Sequence, residues 1–352
     1  MIRPTPKVSY FVRQADASAE RGTILATCRA GGLVISDEQY RWKYEENPLG
    51  PASCWLVVER GHDTLVGHVA LFPRRLLVRG ASWRAAVVGD FVVDPAHRTF
   101  WPAVLLQKAA VSACGPGQFS FLYTFPNQLA RSVLLRAGYR SLGSFRTGVR
   151  LLQTRAAFRN LPHRLALPWA ADASDAALKW LSKETWYRRR DMYVRELSAF
   201  DGSFDILWAK MLPQFAGVID REMTYANWRF GSAAHKQYSI FAVLKPATSE
   251  VAGYIVWSAQ DGKVLISDIL VFDEALDTLL GEFIRLQRQR NANSIVIGYF
   301  GGAALARKLQ QFGFIFRRSP AEVLVCADSK LLPVNPIPNP DGWYFVDGDA
   351  DV

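Results

Sequence analysis

The sequence predicts an α+β chain built from two copies of one unit, each a mixed, mostly antiparallel twisted sheet flanked by helices. Three observations predict it. The 352 residues exceed one ordinary domain and suit two of about 150 residues. Landmarks of the first half recur in the second in the same order. Within each half, short apolar runs bounded by turn residues alternate with longer runs of helical spacing, the pattern of a sheet with helices packed on it.

The repeat is read from four matches. Trp42-Lys43-Tyr44 returns as Trp228-Arg229-Phe230, and Gly67-His68 as Gly253-Tyr254, both at an offset of 186. Gly89-Asp90-Phe91-Val92-Val93 returns as Ser267-Asp268-Ile269-Leu270-Val271 at 178, and Leu134-Leu135-Arg136-Ala137-Gly138-Tyr139 as Leu309-Gln310-Gln311-Phe312-Gly313-Phe314 at 175. A steadily shrinking offset is what shorter loops in the second copy would produce.

In the first copy, the runs 54–59 and 65–71 flank the turn Arg60-Gly61-His62-Asp63 and read as a hairpin. A turn at 79–82 leads into a third strand, 84–93. A helix follows, with Pro102 in its first turn and Ala103, Leu105, Leu106, Ala109 and Ala110 in helical spacing. Gly115-Pro116-Gly117 ends it. A short strand (119–123), a helix stopped by Gly138 and a last strand complete the unit. The second copy repeats the order through strands at 239–244, 251–258 and 264–272, a helix at 276–290, a strand at 294–299 and a helix at 303–312.

Composition excludes whole classes. Half the residues are apolar and 21% are charged, a globular balance. The longest uncharged stretch, 109–130, is interrupted by Gly115, Pro116, Gly117, Pro126 and Asn127 and is not a membrane span. The first residues lack a secretory pattern, so a cytosolic location is expected. Four scattered cysteines without C-x-x-C and five histidines without H-E-x-x-H suggest neither a disulfide framework nor a zinc site.

The charge of +10 sits in the N-terminal half: residues 1–176 hold 22 Lys and Arg against 12 acids, the remainder 20 of each. No acid occurs between Asp94 and Asp172, an interval holding ten Arg and Lys. Such a segment attracts an anionic partner. Zinc-finger spacing, RNP aromatics and a Lys/Arg-rich run are all missing, so nucleic acid is not the expected one.

Two stretches then carry a resemblance. Gly89 through Arg98 (Gly-Asp-Phe-Val-Val-Asp-Pro-Ala-His-Arg) is similar to the central strand and V-x-P-x-x-R segment of the GNAT acetyltransferases, and Asn127 through Tyr139 to their later helix ending in Gly-Phe. The doubled arrangement resembles a tandem-GNAT protein over roughly residues 8–150 and 215–326. The resemblance implies two tandem GNAT folds and acetyl-CoA, or another acyl-CoA, as co-substrate without a metal. A substrate amine would attack the thioester directly.

The site residues follow from that resemblance. Strand backbone at Phe91, Val92 and Val93 would bond the pantetheine arm. The loop and helix start at Arg98, Thr99, Phe100, Trp101 and Ala103 would hold the pyrophosphate on free N–H groups, where the helix dipole also favours negative charge. Asp90 is the carboxylate to accept the amine's proton, or a polar residue satisfying a loop. Asn127 would touch CoA or cap the following helix.

The sequence also departs from the family. Trp101 stands where the family has glycine, Pro102 removes an N–H, and Leu134 occupies the place of a proton-donating tyrosine. In the second copy three carboxylates (Asp273, Glu274, Asp277) replace the phosphate loop and would repel a pyrophosphate. That copy is expected to pack and to shape an acceptor cleft between the domains. Trp42, Tyr44, Trp228 and Phe230 would pack under the sheets or line that cleft.

The expected organisation is an N-terminal domain at 1–152, a linker with a short helix at 153–200, a degenerate C-terminal domain at 201–328 and a proline-rich tail at 329–352. The tail's aromatic cluster, 343–346, should dock on the body, and its closing run Asp347-Gly348-Asp349-Ala350-Asp351 reads as a solvated acidic end. The leading expectation is an acyltransferase acting on a small-molecule amine, such as an amino-sugar precursor. The alternatives are a non-catalytic GNAT-fold scaffold and a transferase with a macromolecular donor, either an acyl carrier protein or, as in the similar FemABX family, a charged tRNA.

Overall fold

The computed structural model describes residues 9–115, 117–153, 175–176, 179–180, 182–187, 192–233, 236–246, 248–328 and 342–351. Much of the linker expected at 153–200, including 154–174, and the prolines of the tail lie outside the described residues. The chain forms two units. Each is built on the same succession of elements.

Of the described residues, the first unit contains those up to Ser144, those from 320 to 328 and those from Asp349 onward. It opens with β1 (Tyr10–Ala15), α1 (Arg21–Ala30) and α2 (Asp37–Tyr40). Ser36 and Gln39 cap α2 reciprocally, each side chain bonding the other's backbone N–H. From α2 the chain runs without a break into a wide π-helical turn, Arg41–Glu45, that buries Trp42 and Tyr44. β2 (Ser53–Glu59), β3 (Thr64–Val78) and β4 (Ala81–Val93) form an antiparallel meander with β1 beside β2.

α3 (Phe100–Ser112) then crosses to β5 (Phe121–Thr124), which lies parallel to β4. α4 (Gln128–Ala137) follows, capped by the Asn127 side chain and ended by Gly138 at φ +116°. The core is the seam between sheet and helices. Val57, Val69, Leu71 and Val88 of the strands meet Leu106 of α3 and Val133 and Leu134 of α4. Each such side chain contributes on the order of 1.5–3 kcal/mol when buried.

The second unit repeats this order. It consists of α5 (Gly202–Met211), a second π-helical turn (Asn227–Gly231), the antiparallel strands β9 (Ser239–Leu244), β10 (Val251–Gln260) and β11 (Lys263–Val271), α6 (Asp273–Gln289), β12 (Ser294–Phe300) parallel to β11, and α7 (Ala303–Gln311). β7 (Tyr193–Leu197) edges the sheet beside β9, and a short β8 (Gly217–Ile219) precedes the π turn. The recurring Gly67 and Gly253 have one physical cause. A side chain at Gly67 would collide with the Val92 carbonyl, and one at Gly253 with Val271, so only glycine lets the neighbouring strand come this close.

The last strands were not legible as they are. β6 (Arg140–Leu151) follows α4 as expected, but from Phe145 onward it belongs to the second unit and pairs antiparallel with β12. The strand beside β5 comes instead from β13 (Ile315–Ala327), through Leu324–Ala327.

Candidate functional site

β3 and β4 run in register from Val78/Ala81 to Ala70/Gly89 and resume at His68/Val92. Asp90 and Phe91 therefore stand opposite the single residue Val69, which makes a β-bulge. Asp90 holds φ +47° there. A non-glycine residue in that region costs on the order of 1–3 kcal/mol and persists only when its surroundings hold it.

They do hold it. Lys43 Nζ bonds one Asp90 carboxylate oxygen at 2.7 Å, and the Tyr44 hydroxyl donates to the other at 2.6 Å. Both donors are successive residues of the first π-helical turn. Burial, with the Asp90 charge beside it, holds Tyr44 well above the usual phenol range, so it stays a donor. Tyr44 is itself fixed by stacking on Tyr40 at 4.1 Å and by an edge contact with Phe72.

Behind the bulge, the Asp90 carbonyl accepts from His68 Nδ1 at 3.1 Å, and Cys28 Sγ lies 3.5 Å from the same nitrogen. Burial lowers the His68 pKa to about 4 and raises that of Cys28 to about 12. The imidazole is neutral and the thiol unreactive near neutral pH.

β4 and β5 pair only as far as Val87/Tyr123. The Thr124 hydroxyl bonds the Val88 carbonyl at 3.1 Å, and past it β4 continues to Val93 while β5 has ended. Residues from the end of the chain come to this opening. Tyr123 donates to the Asp349 carbonyl at 2.8 Å, and the Asp90 backbone N–H donates to Asp351 Oδ2 at 3.3 Å. A methyl group on Gly89 would meet the Asp351 carboxylate, so glycine is what admits it. The expectation of a solvated acidic end is corrected: Asp349 is buried and Asp351 half-buried at the bulge.

The other residues named from sequence are placed as follows. Phe91 and Val92 are half-buried and Val93 is buried on β4. The Arg98 guanidinium bonds the Val93 and Gly31 carbonyls at 3.1 and 3.0 Å, tying the end of β4 to that of α1. Thr99 starts α3 without a side-chain cap, and its N–H bonds the His97 carbonyl. Phe100 and Trp101 are exposed, whereas Ala103 faces the core. Pro102 has no N–H, so the first turn of α3 retains two donors, on Phe100 and Trp101. Asn127 Oδ1 accepts from the Ala130 N–H at 2.9 Å and thus caps α4. Leu134 is buried.

Sequence reasoning missed Lys43 and the tyrosine hydroxyl of Tyr44 as partners of Asp90. The signal was present in the repeat, because Lys43 sits between two aromatics destined for burial and needed an anion.

The second copy solves the same position differently. Asp268 accepts from the Tyr254 hydroxyl and from the Ile269 N–H, each at 3.0 Å, and forms an ion pair with the Arg221 guanidinium at 3.5 Å. Its bulge falls at Ser267. β11 and β12 pair only from Lys263/Ser294 to Ile266/Ile297. Beyond that point β14 (Trp343–Val346) pairs with β12 at Tyr299 and Phe300, and the Tyr344 hydroxyl bonds the Ile269 carbonyl at 2.6 Å. The stretch of β11 that corresponds to Phe91 of β4 is thus covered by the chain's own strand, as the expected docking of the aromatic cluster required. Asp273 and Glu274 stand in the first turn of α6.

A bulged central strand, a parallel neighbour that stops short of it and a helix starting at its end occur twice in one chain. Residues 23–101 match the family model of the acetyltransferase (GNAT) domain. The chain is a tandem GNAT-fold protein. Among solved structures it is similar to a conserved protein of Enterococcus faecalis V583 named a probable N-acyltransferase, at 13% identity and TM-score 0.65, over 91% of this chain and 73% of that one. It is similar also to a tandem GNAT protein of the clavulanic acid biosynthesis pathway (12% identity, TM-score 0.52, 91% of this chain and 98% of that one). A third is Saccharomyces cerevisiae N-myristoyltransferase with bound myristoyl-CoA (10%, TM-score 0.55, 92% and 82%). No curated protein matches. Among the described residues, no helix of this GNAT-fold chain is long and apolar enough to cross a membrane, and no cluster of three His, Cys, Asp or Glu could hold a metal ion.

Proposed function

We propose that the first copy is an acyltransferase that moves an acyl group from a CoA-type thioester to a small amine. The observation that carries this reading is the opening beside β4. Its bulge at Asp90, where Asp351 takes the backbone N–H, together with the end of β5 at Thr124, leaves strand backbone from Phe91 to Val93 for a pantetheine arm. The bound myristoyl-CoA of the yeast neighbour supports a thioester as the ligand of this fold.

The amine nitrogen attacks the thioester carbonyl, the N–C bond forms and the C–S bond breaks. Two carboxylates stand at the bulge. Asp90, with both oxygens engaged by Lys43 and Tyr44, is the fixed anion that holds the bulge. Asp351, bonded to the backbone N–H there, takes the proton that leaves nitrogen. Leu134 has no proton for the departing thiolate, which takes one from solvent. Phe91, Val92 and Val93 bind the arm, and Phe100 and Trp101 offer the remaining helix N–H groups to its phosphates. Asn127 and Ala103 support that site by capping α4 and seating α3. The second copy, its equivalent ground covered by β14 and edged by Asp273 and Glu274, does not bind the donor.

The test is thiol release from acetyl-CoA over a panel of amines that includes amino sugars, alongside calorimetric titration with acetyl-CoA, dephospho-CoA and acetyl-pantetheine. Amine-dependent thiol release with one binding site per chain is the expected result. Binding without turnover of any amine would favour a non-catalytic GNAT-fold binder.

A further inference from the structure

We infer that the face made by the start of α3 and the outer side of α4 docks an acidic acyl carrier domain, whose phosphopantetheine arm delivers the thioester to the β4 opening. The inference rests on the acyl-transfer reading above and specifies the molecule that brings the donor arm.

The first observation is apolar surface left in water. Phe100 is 42% exposed, Trp101 54%, Leu129 86% and Leu135 36%. Single exposed apolar residues need no explanation, but four on two touching helix segments do. The helices are joined at this face, since the Arg136 guanidinium lies over the Phe100 ring, 4.7 Å from its centre. Exposed aromatics beside arginine are the composition of binding surfaces.

The second observation is charge. Neither α3 nor α4 contains an acidic residue, and both lie inside the acid-free interval that carries the excess positive charge of the chain. Arg131 and Arg136 are exposed on α4, and Arg131 is paired with Glu322 at 3.1 Å. The complement of such a face is an acidic helix with an apolar stripe. A nucleic acid is a poorer match, because a phosphate backbone gains nothing from Leu129 and Leu135 and asks for a denser row of cations.

The third observation is position and shape. α3 begins seven residues after Val93, where the open edge of β4 ends. Pro102 deprives its first turn of one N–H, and the Arg98 guanidinium is engaged by two backbone carbonyls. This reduced cradle suits the single phosphodiester of a carrier-borne arm better than the pyrophosphate and 3′-phosphate of free CoA. The carrier's own surface then contributes the binding that nucleotide contacts would otherwise supply.

The test compares three donors of the same acetyl group, acetylated holo-acyl carrier protein, acetyl-CoA and acetyl-pantetheine, each over the whole amine panel above. The expected kcat/KM is at least tenfold higher from the carrier than from acetyl-CoA. Arg136→Glu and Leu129→Asp, both at exposed positions, should each lower the carrier value at least tenfold and leave acetyl-pantetheine within twofold. Equal or better use of acetyl-CoA overturns the inference, as does a loss in the variants that is the same for all three donors, or salt-sensitive tRNA binding on this face with no advantage to the carrier. Turnover of acetyl-pantetheine with no gain from the carrier defeats the docking alone. Silence from all three donors defeats the acyl-transfer reading and this inference with it.

Discussion

Asp351 reaches back across 261 positions to accept the backbone N–H of Asp90 at 3.3 Å. The contact puts a second carboxylate at the bulge of β4, where the first is already engaged on both oxygens by Lys43 and Tyr44.

If Asp351 takes the amine's proton, Asp351→Asn keeps its size and its hydrogen-bonding oxygen but loses the base. Turnover should fall about 10²- to 10³-fold while donor affinity stays within about twofold. Gly89→Ala, which places a methyl where the carboxylate sits, should match that loss and leave the thermal midpoint nearly unchanged. Steady-state kinetics with calorimetry reads both, and wild-type turnover in either variant would remove Asp351 from the mechanism.

Lys43 and Asp90 form a buried pair whose side chains are 12% and 5% exposed. Removing one partner of such a pair leaves an uncompensated charge and costs about 3–5 kcal/mol. Lys43→Met should therefore destabilise the protein by that order in urea unfolding, whereas Tyr44→Phe, which removes one hydrogen bond to a charged group, should cost about 1.5–3 kcal/mol.

His68 carries a pH signature. Its folded pKa of about 4 lies below the ordinary histidine value because burial disfavours the imidazolium. A group depressed on folding lends stability that is complete above the unfolded pKa and is lost as pH falls through the folded one. The loss should run from about pH 6.5 to about pH 4 and amount to about 3 kcal/mol at most. Chemical denaturation across that window measures it, and His68→Gln, which cannot titrate, should flatten the profile.

Pro102→Ala restores an N–H to the first turn of α3 at a position already buried. If CoA phosphates approach that turn, acetyl-CoA should bind about 3- to 10-fold tighter, the worth of one added hydrogen bond, with acetyl-pantetheine unaffected. Unchanged affinity for both would mean the nucleotide does not lie there.

The amino-acid sequence alone determined the doubling, the strands β2 to β5 and β9 to β12, the helices α3, α4, α6 and α7 and the central position of Asp90 and Asp268, but not β1, α1, α2 or α5. Those features are written in local signals: alternation, helical spacing, Gly138 as a helix stop, Asn127 before α4. The repeat even marked Gly67 and Gly253, though the reason, a neighbouring strand too close for any side chain, appears only in three dimensions. Tertiary structure alone decided the rest. β6 from Phe145 onward lies beside β12, and Leu324–Ala327 lies beside β5, because strand partners are chosen by register and burial among all available edges, which no local pattern encodes. The same holds at the site, where Lys43 and Tyr44 meet Asp90 across 47 and 46 positions and Asp351 across 261. A carboxylate's partners depend on which distant backbone and side chains the fold brings to it, and an acidic run at the end of a sequence looks the same whether it is solvated or bound.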